Sequence, residues 1–184
     1  MIKLRLMTEN DIAFVLAIQC ECYVAEAIES ETTIRTRLSI APSCAWIAED
    51  ADGACAYLVG YPSELGKVTP LGSSFSIPPS PTSLYLHDLA VSRRVAGQGV
   101  GSMLVRFALD SAQRMGLHHS SLVSVQNSVT FWRALGYREQ ALSDTAQAAH
   151  LNTYPAPACY MVRVTDNQTE RRAATDIASR SRIA

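Results

Sequence analysis

Apolar and polar positions alternate at the start of the chain: Lys3 and Arg5 separate Ile2, Leu4 and Leu6, which predicts a half-buried first strand. Thr8 is placed to cap a helix whose Ile12, Val15, Leu16 and Cys20 share one face, with Glu9 and Asp11 in its first turn. Cys22, Tyr23 and Val24 fall where that helix ends, and Glu29 to Leu38 predicts a second short helix that Pro42 stops. Ala45 to Ala48 and Ala54 to Val59 read as strands joined around Asp50-Ala51-Asp52-Gly53. From Tyr61 to Ser83, Pro62, Pro70, Pro78, Pro79 and Pro81 interrupt a serine- and glycine-bearing run, which predicts one long loop. Such a loop is either a substrate lid or a flexible excursion.

The stretch from Leu84 to Leu104 is the most informative. Leu86, Leu89, Ala90 and Val91 predict a strand, Gly97, Gly99 and Gly101 a turn, and Gly101, Leu104, Val105, Ala108, Ala112 and Met115 a helix that Gly116 closes. The first N–H groups of a helix have no internal partner, and glycine lets a ligand approach the backbone, so this arrangement suits a phosphate or diphosphate. Ser102-Met103 after the last glycine excludes a P-loop, and Gly97-x-Gly99-x-Gly101 is not the Gly-x-Gly-x-x-Gly spacing of a dinucleotide site. Further on, His119 to Val125 predicts a strand, Val129 to Leu135 a short helix capped by Asn127 or Ser128, and Tyr137 to Leu142 and Cys159 to Val164 the last two strands. Ser143 to Pro157 reads as a second loop, with His150 and Tyr154 in it, and Thr165 to Ala184 as an appended tail after a domain spanning 1–164.

Composition narrows this picture. In 184 residues, 16 basic and 17 acidic side chains are interspersed, so no basic stripe points to nucleic acid. No apolar run approaches membrane-spanning length and the N-terminus has no signal region, so the expectation is a cytoplasmic protein without a membrane partner. Cys20, Cys22, Cys44, Cys55 and Cys159 show no metal-ligand spacing, and reduced thiols without a bound metal are expected.

The glycine run after Leu89-Ala90-Val91 resembles the acyl-CoA diphosphate loop of the GNAT superfamily of N-acetyltransferases, Gln/Arg-x-x-Gly-x-Gly/Ala. Two registers fit: Arg94-x-x-Gly97-x-Gly99 matches the letters, whereas Ala96-x-x-Gly99-x-Gly101 keeps strand end and helix start in phase and is preferred. Asn127 to Tyr137 is similar to the superfamily's N-x-x-x-Phe-Tyr-x-x-x-Gly-Phe segment, and Leu86-His87-Asp88-Leu89-Ala90-Val91 looks most like the arylalkylamine-type members. The resemblance implies an α/β (α+β) fold of GNAT type, its mixed, mostly antiparallel sheet splayed at the fourth and fifth strands and flanked by helices. It implies acetyl transfer from acetyl-CoA to a small primary amine, aromatic or polyamine-like, by a monomer or homodimer. It places the diphosphate on Ala96, Gly97, Gln98, Gly99, Val100, Gly101 and Ser102, and the pantetheine beside the main chain of Leu89, Ala90 and Val91, with Asn127, Phe131 and Trp132 nearby.

The reaction asks for a base before an acid. Deprotonating an alkylamine of pKa about 10 at pH 7 costs about 4 kcal/mol, against about 2 kcal/mol for releasing a thiolate of pKa about 8.5. The resemblance places the base at Tyr85 or His87, and histidine is the residue type suited to proton transfer near neutrality. Strand alternation puts Tyr85, His87 and Leu89 on one face and Leu86, Asp88 and Ala90 on the other, so Asp88 is expected to fix a neighbouring loop or helix end. Trp132 departs from the family: it replaces the tyrosine that protonates the thiolate, and an indole N–H only donates hydrogen bonds. Solvent or Tyr154 can stand in, or the chain is a weak or non-catalytic acyl-CoA-binding module. Acetylation of a peptide or protein is the third reading.

Overall fold

The computed structural model describes residues 1–165, so the expected tail from residue 166 onward lies outside the described residues. Four strands lead the sheet, β1 (Lys3–Leu6), β2 (Ala45–Asp50), β3 (Gly53–Ser63) and β4 (Ser83–Val91), followed by β5 (His119–Ser124), β6 (Arg138–Glu139) and β7 (Cys159–Val164). Between them run α1 (Ile12–Cys22), α2 (Glu31–Ile40), α3 (Val100–Arg114), α4 (Val129–Ala134) and α5 (Thr145–Leu151). The strand order is β1-β2-β3-β4-β5-β7-β6, antiparallel throughout except for the parallel pair β4–β5. No helix among the described residues is long and apolar enough to cross a membrane.

Side-chain hydrogen bonds order the chain at the starts of α1 and α2. Asp11 accepts hydrogen bonds from the Thr8 N–H and hydroxyl (2.8 and 2.9 Å), and the Ser30 hydroxyl accepts from the Thr33 N–H, so α2 starts two residues later than the apolar pattern indicates. Three boundaries differ further. β3 runs through Pro62 to Ser63: β2 has ended opposite Val59, and a proline is tolerated on the edge thereby freed. The strand expected from Tyr137 to Leu142 shrinks to Arg138–Glu139. The second loop contains α5, capped by Asp144, whose carboxylate accepts from the Ala146 N–H at 2.8 Å.

Two features of β4 position the site. Its pairing with β5 stops at Leu86–Leu122, although both strands continue, so the sheet opens beyond that point. On its other edge Val59 faces Asp88 but Gly60 faces Leu86, which makes His87 the extra residue of a β-bulge. Gly60 is needed there, because a Cβ on it would meet the Tyr85 carbonyl oxygen at 2.6 Å.

Candidate active site

A cleft of about 530 Å³ fills the gap between β4 and β5 and runs to the start of α3. At that end Gly97 and Gly99 adopt left-handed φ values of 77° and 80°, and α3 begins at Val100. Its first backbone bond runs from the Met103 N–H to the Gly99 carbonyl (3.0 Å), so the amides of Val100, Gly101 and Ser102 are the unpaired ones of the first turn. The Ala96 and Gln98 amides instead close turn bonds to Arg93 and Val95, and the Gln98 side chain donates to the Arg94 carbonyl. A Cβ on Gly101 would sit 3.3 Å from Val91 and 3.6 Å from Phe131, so glycine lets helix, strand and α4 meet behind the loop. This cradle of amides suits the diphosphate of a coenzyme A.

α3 starts at Val100, directly after Gly99, the helix start with which the Ala96-x-x-Gly99-x-Gly101 register is in phase. Arg94 is engaged elsewhere: its guanidinium donates to both Asp50 oxygens (2.6 and 3.0 Å) and to the Gly53 and Ala54 carbonyls, clamping the loop to the β2–β3 hairpin. Glu21 of α1 holds the same loop from the other side, accepting from the Arg93 N–H (2.5 Å) and the Ser92 hydroxyl (3.2 Å).

At the open edge of β4, the Leu89 carbonyl oxygen lies 3.1 Å from the Tyr23 hydroxyl, and the Cys22 thiol donates to the Val91 carbonyl (3.4 Å). Both groups of a residue in an antiparallel strand point to the same edge, so the Leu89 and Val91 N–H groups face the cleft. Ala90 does not line it: its side chain is buried and its main chain is opposite Tyr57. Asn127 also does not line the cleft. The backbone turns left-handed at Gln126 and Asn127 (φ 52° and 59°), and Gln126 and Ser128 face the cavity instead. Phe131 and Trp132 both line it, and the indole N–H of Trp132 donates to the Ser128 hydroxyl at 3.2 Å.

The bulge overturns the expected alternation. His87 and Asp88 both face α1 and α2, while Leu89 and Val91 turn towards Gly101 of α3. The Asp88 carboxylate accepts from Tyr23 (2.5 Å), Tyr57 (2.5 Å) and the Gln19 amide (3.2 Å). Burial pushes its pKa up, against the hydrogen bonds of the two tyrosines. Asp88 thus fixes the end of α1, from the side of the sheet opposite to that expected. Tyr23 lines the cleft as well, and nothing in its sequence context signals this role.

The His87 side chain is only 3% exposed, although the residue as a whole is not buried, so it is the main chain at the bulge that solvent reaches. Its Nε2 lies 3.6 Å from Glu29, an ion-pair distance rather than a hydrogen bond, and its Nδ1 is buried without a partner. Glu29 also binds the Arg37 guanidinium at 2.5 Å. Burial raises the Glu29 pKa, but His87 and Arg37 outweigh it and hold the carboxyl below its usual range.

The loop from residue 64 to 82 packs onto this group. Phe75 stacks on Tyr61 with ring centroids 4.3 Å apart, meets His87 edge-on at 5.3 Å and lies 5.0 Å from the Arg37 guanidinium carbon. Arg37 Nε and Nη2 both donate to the Ser73 carbonyl (3.1 and 2.7 Å). Tyr85 lies beneath, its buried hydroxyl unpartnered and its pKa raised by burial and by the neighbouring Tyr154, which makes it a poor base. Tyr154 does not line the cleft: its hydroxyl donates to the Thr69 carbonyl (2.7 Å), and burial pushes its pKa up to about 12.

A seven-stranded sheet split at a bulge, with a cradle of free amides at the end of the split, defines an acyl-CoA-dependent acyltransferase. The chain belongs to the acetyltransferase (GNAT) family, whose sequence model matches residues 12–137. Solved structures share the fold at low identity. Ard1 from Thermoplasma volcanium superposes with a TM-score of 0.68 at 17% identity, over 89% of this chain and 97% of that one. GphF, a GNAT-like decarboxylase in complex with isobutyryl-CoA, gives 0.70 at 16%, over 89% and 100%. The ribosomal-protein-S18-alanine N-acetyltransferase from Escherichia coli gives 0.65 at 15%, over 90% and 95%. No curated protein matches the chain in sequence.

Proposed function

We propose that the chain acetylates a small primary amine, with acetyl-CoA as donor and His87 as the base that takes the amine proton. The observation that carries this reading is the imidazole of His87, a residue of the β4 bulge beside the split, with its Nδ1 buried and unengaged and its Nε2 3.6 Å from Glu29. A carboxylate facing Nε2 favours the tautomer with the proton there, which leaves the Nδ1 lone pair to accept one. Glu29 then stabilises the imidazolium, while Arg37 helps to keep Glu29 ionised.

Bound acetyl-CoA would supply a thioester whose C–S bond breaks as the amine's C–N bond forms. The amides of Gly97 and Gly99 to Ser102 would hold its diphosphate, and the Leu89 N–H would donate to the carbonyl oxygen as negative charge builds there. With the Trp132 N–H bound to Ser128 and Tyr154 away from the cleft, solvent returns the proton to the thiolate, the less demanding of the two transfers.

A small acceptor is favoured over a peptide by the two loops, which close against each other. The Val68 N–H donates to Gln147 (2.8 Å) and the Leu71 N–H to Thr153 (2.9 Å), while His150 Nδ1–H donates to the Val68 carbonyl (2.9 Å). The test is thiol release from acetyl-CoA across amines, peptides and aminoglycosides. His87→Ala is expected to lower turnover about a hundredfold at pH 6.5 and far less at pH 9, where free amine is abundant; an equal loss at both removes His87 from the role. Coenzyme A binding without thiol release for any acceptor favours instead a binding module, the reading that Trp132 supports.

A further inference from the structure

We infer that Phe75 and the Ser73 carbonyl occupy the acceptor's own site, and that the acceptor is an α-amino acid with a large apolar side chain. This rests on the amine-acetylating reading above. The acceptor must bring its nitrogen to His87 Nδ1, and the space in front of that imidazole is filled by the chain itself. Phe75 is the single aromatic residue between Tyr61 and Tyr85 in sequence, and its ring lies against Tyr61 and His87.

One group against that ring is unfinished. His87 Nδ1 is buried without a hydrogen-bond partner, and a phenyl ring offers it none. An unpaired buried polar group destabilises the fold that holds it. A ligand that fills the same volume and also carries polar atoms recovers that cost.

Arg37 states which polar atoms. Its side chain is 2% exposed, and its Nη1 is held by Glu29. The remaining edge, Nε with Nη2, converges on one carbonyl oxygen of the loop. That edge is the fork which pairs side-on with a carboxylate. If the loop lifts, the guanidinium is left buried with two donors unmatched, and a ligand carboxylate replaces Ser73. The charges then balance, since Glu29 and Arg37 oppose the ammonium and carboxylate of a zwitterion. Carboxylate on Arg37, apolar side chain in place of the Phe75 ring and amine at His87 are together the parts of an α-amino acid. The loop closes the site when it is empty and yields to a ligand that reproduces its contacts.

The experiment is thiol release by the full chain with acetyl-CoA and matched acceptors: L-phenylalanine, phenethylamine, L-alanine and putrescine. Expected is a kcat/KM for L-phenylalanine at least tenfold above both phenethylamine, which lacks the carboxylate, and L-alanine, which lacks the ring. Hydrogen exchange of amides 66–75 is expected to speed up on adding L-phenylalanine. Phe75→Ala, with Phe75→Leu as the more conservative variant, is expected to lower the KM for L-phenylalanine several-fold. Turnover of phenethylamine or putrescine equal to or above that of L-phenylalanine overturns this inference and leaves amine acetylation standing. Absence of thiol release with every acceptor overturns both.

Discussion

Asp88 is where a single residue decides the geometry of the site. Its carboxylate gathers the hydroxyls of Tyr23 and Tyr57 and the Gln19 amide, so the end of α1 is bound to β4 beside the cleft. Asp88→Asn keeps the shape but replaces one acceptor by an N–H₂ that faces donors. The expected loss is about 2–3 kcal/mol in a urea titration at pH 7, the cost of unpaired buried groups; an unchanged midpoint means that the cluster does not hold the helix. Alternation along β4 puts Asp88 on the wrong face because one inserted residue inverts every position after it. The sequence carries one sign of this, a glycine in the middle of the neighbouring strand at Gly60, but its meaning depends on the register with Tyr85. The glycines of the α3 turn are legible by contrast, because positive φ leaves few other residues. Gly99→Ala is expected to cost about 1 kcal/mol of stability and to weaken coenzyme A binding measured by titration calorimetry, because the amides behind it shift.

At the scale of elements, the closed side of the site is made by two stretches with little periodic hydrophobicity. α5 escapes a sequence reading for a physical reason. Its buried residue is Gln147, and Leu151 is the one large aliphatic side chain between Ser143 and Pro157, so no apolar stripe marks it. The helix is there because Asp144 caps it and because Gln147 accepts the Val68 N–H of the facing loop. Tyr154 ties the same two stretches through the Thr69 carbonyl. Tyr154→Phe removes that bond and is expected to cost about 1 kcal/mol. Its sharper effect is local: limited proteolysis between residues 64 and 82 should run several-fold faster than in the unaltered chain, and unchanged cleavage would show that the remaining bonds hold the loop alone.

For the whole molecule, buried carboxylates set how stability follows pH, and they do not all act in one direction. Arg5 of β1 donates to both Asp11 oxygens (2.8 Å each) and to Glu49 of β2 (2.7 Å), tying the sheet edge to the start of α1. The Arg5 hydrogen bonds, opposed by burial and aided by Thr8, hold the Asp11 carboxyl below the usual range. A carboxyl with a depressed pKa in the fold binds protons more weakly there than in the unfolded chain. Its contribution is complete above the unfolded value of about 3.9 and is lost as the pH falls through the depressed one. Glu29, also lowered, has the same sign. Asp88, raised by burial, has the opposite sign: protonation favours the folded chain, and this benefit disappears as the pH rises through the raised value. Asp11→Asn therefore isolates one sign. The variant is expected to unfold at lower urea concentration than the unaltered chain at pH 7, with the gap narrowing as the pH falls below about 4. Urea midpoints at pH 7, 5, 4 and 3 check this, and a gap that stays constant across the series would mean that Asp11 contributes through packing and its Thr8 contacts rather than through its charge.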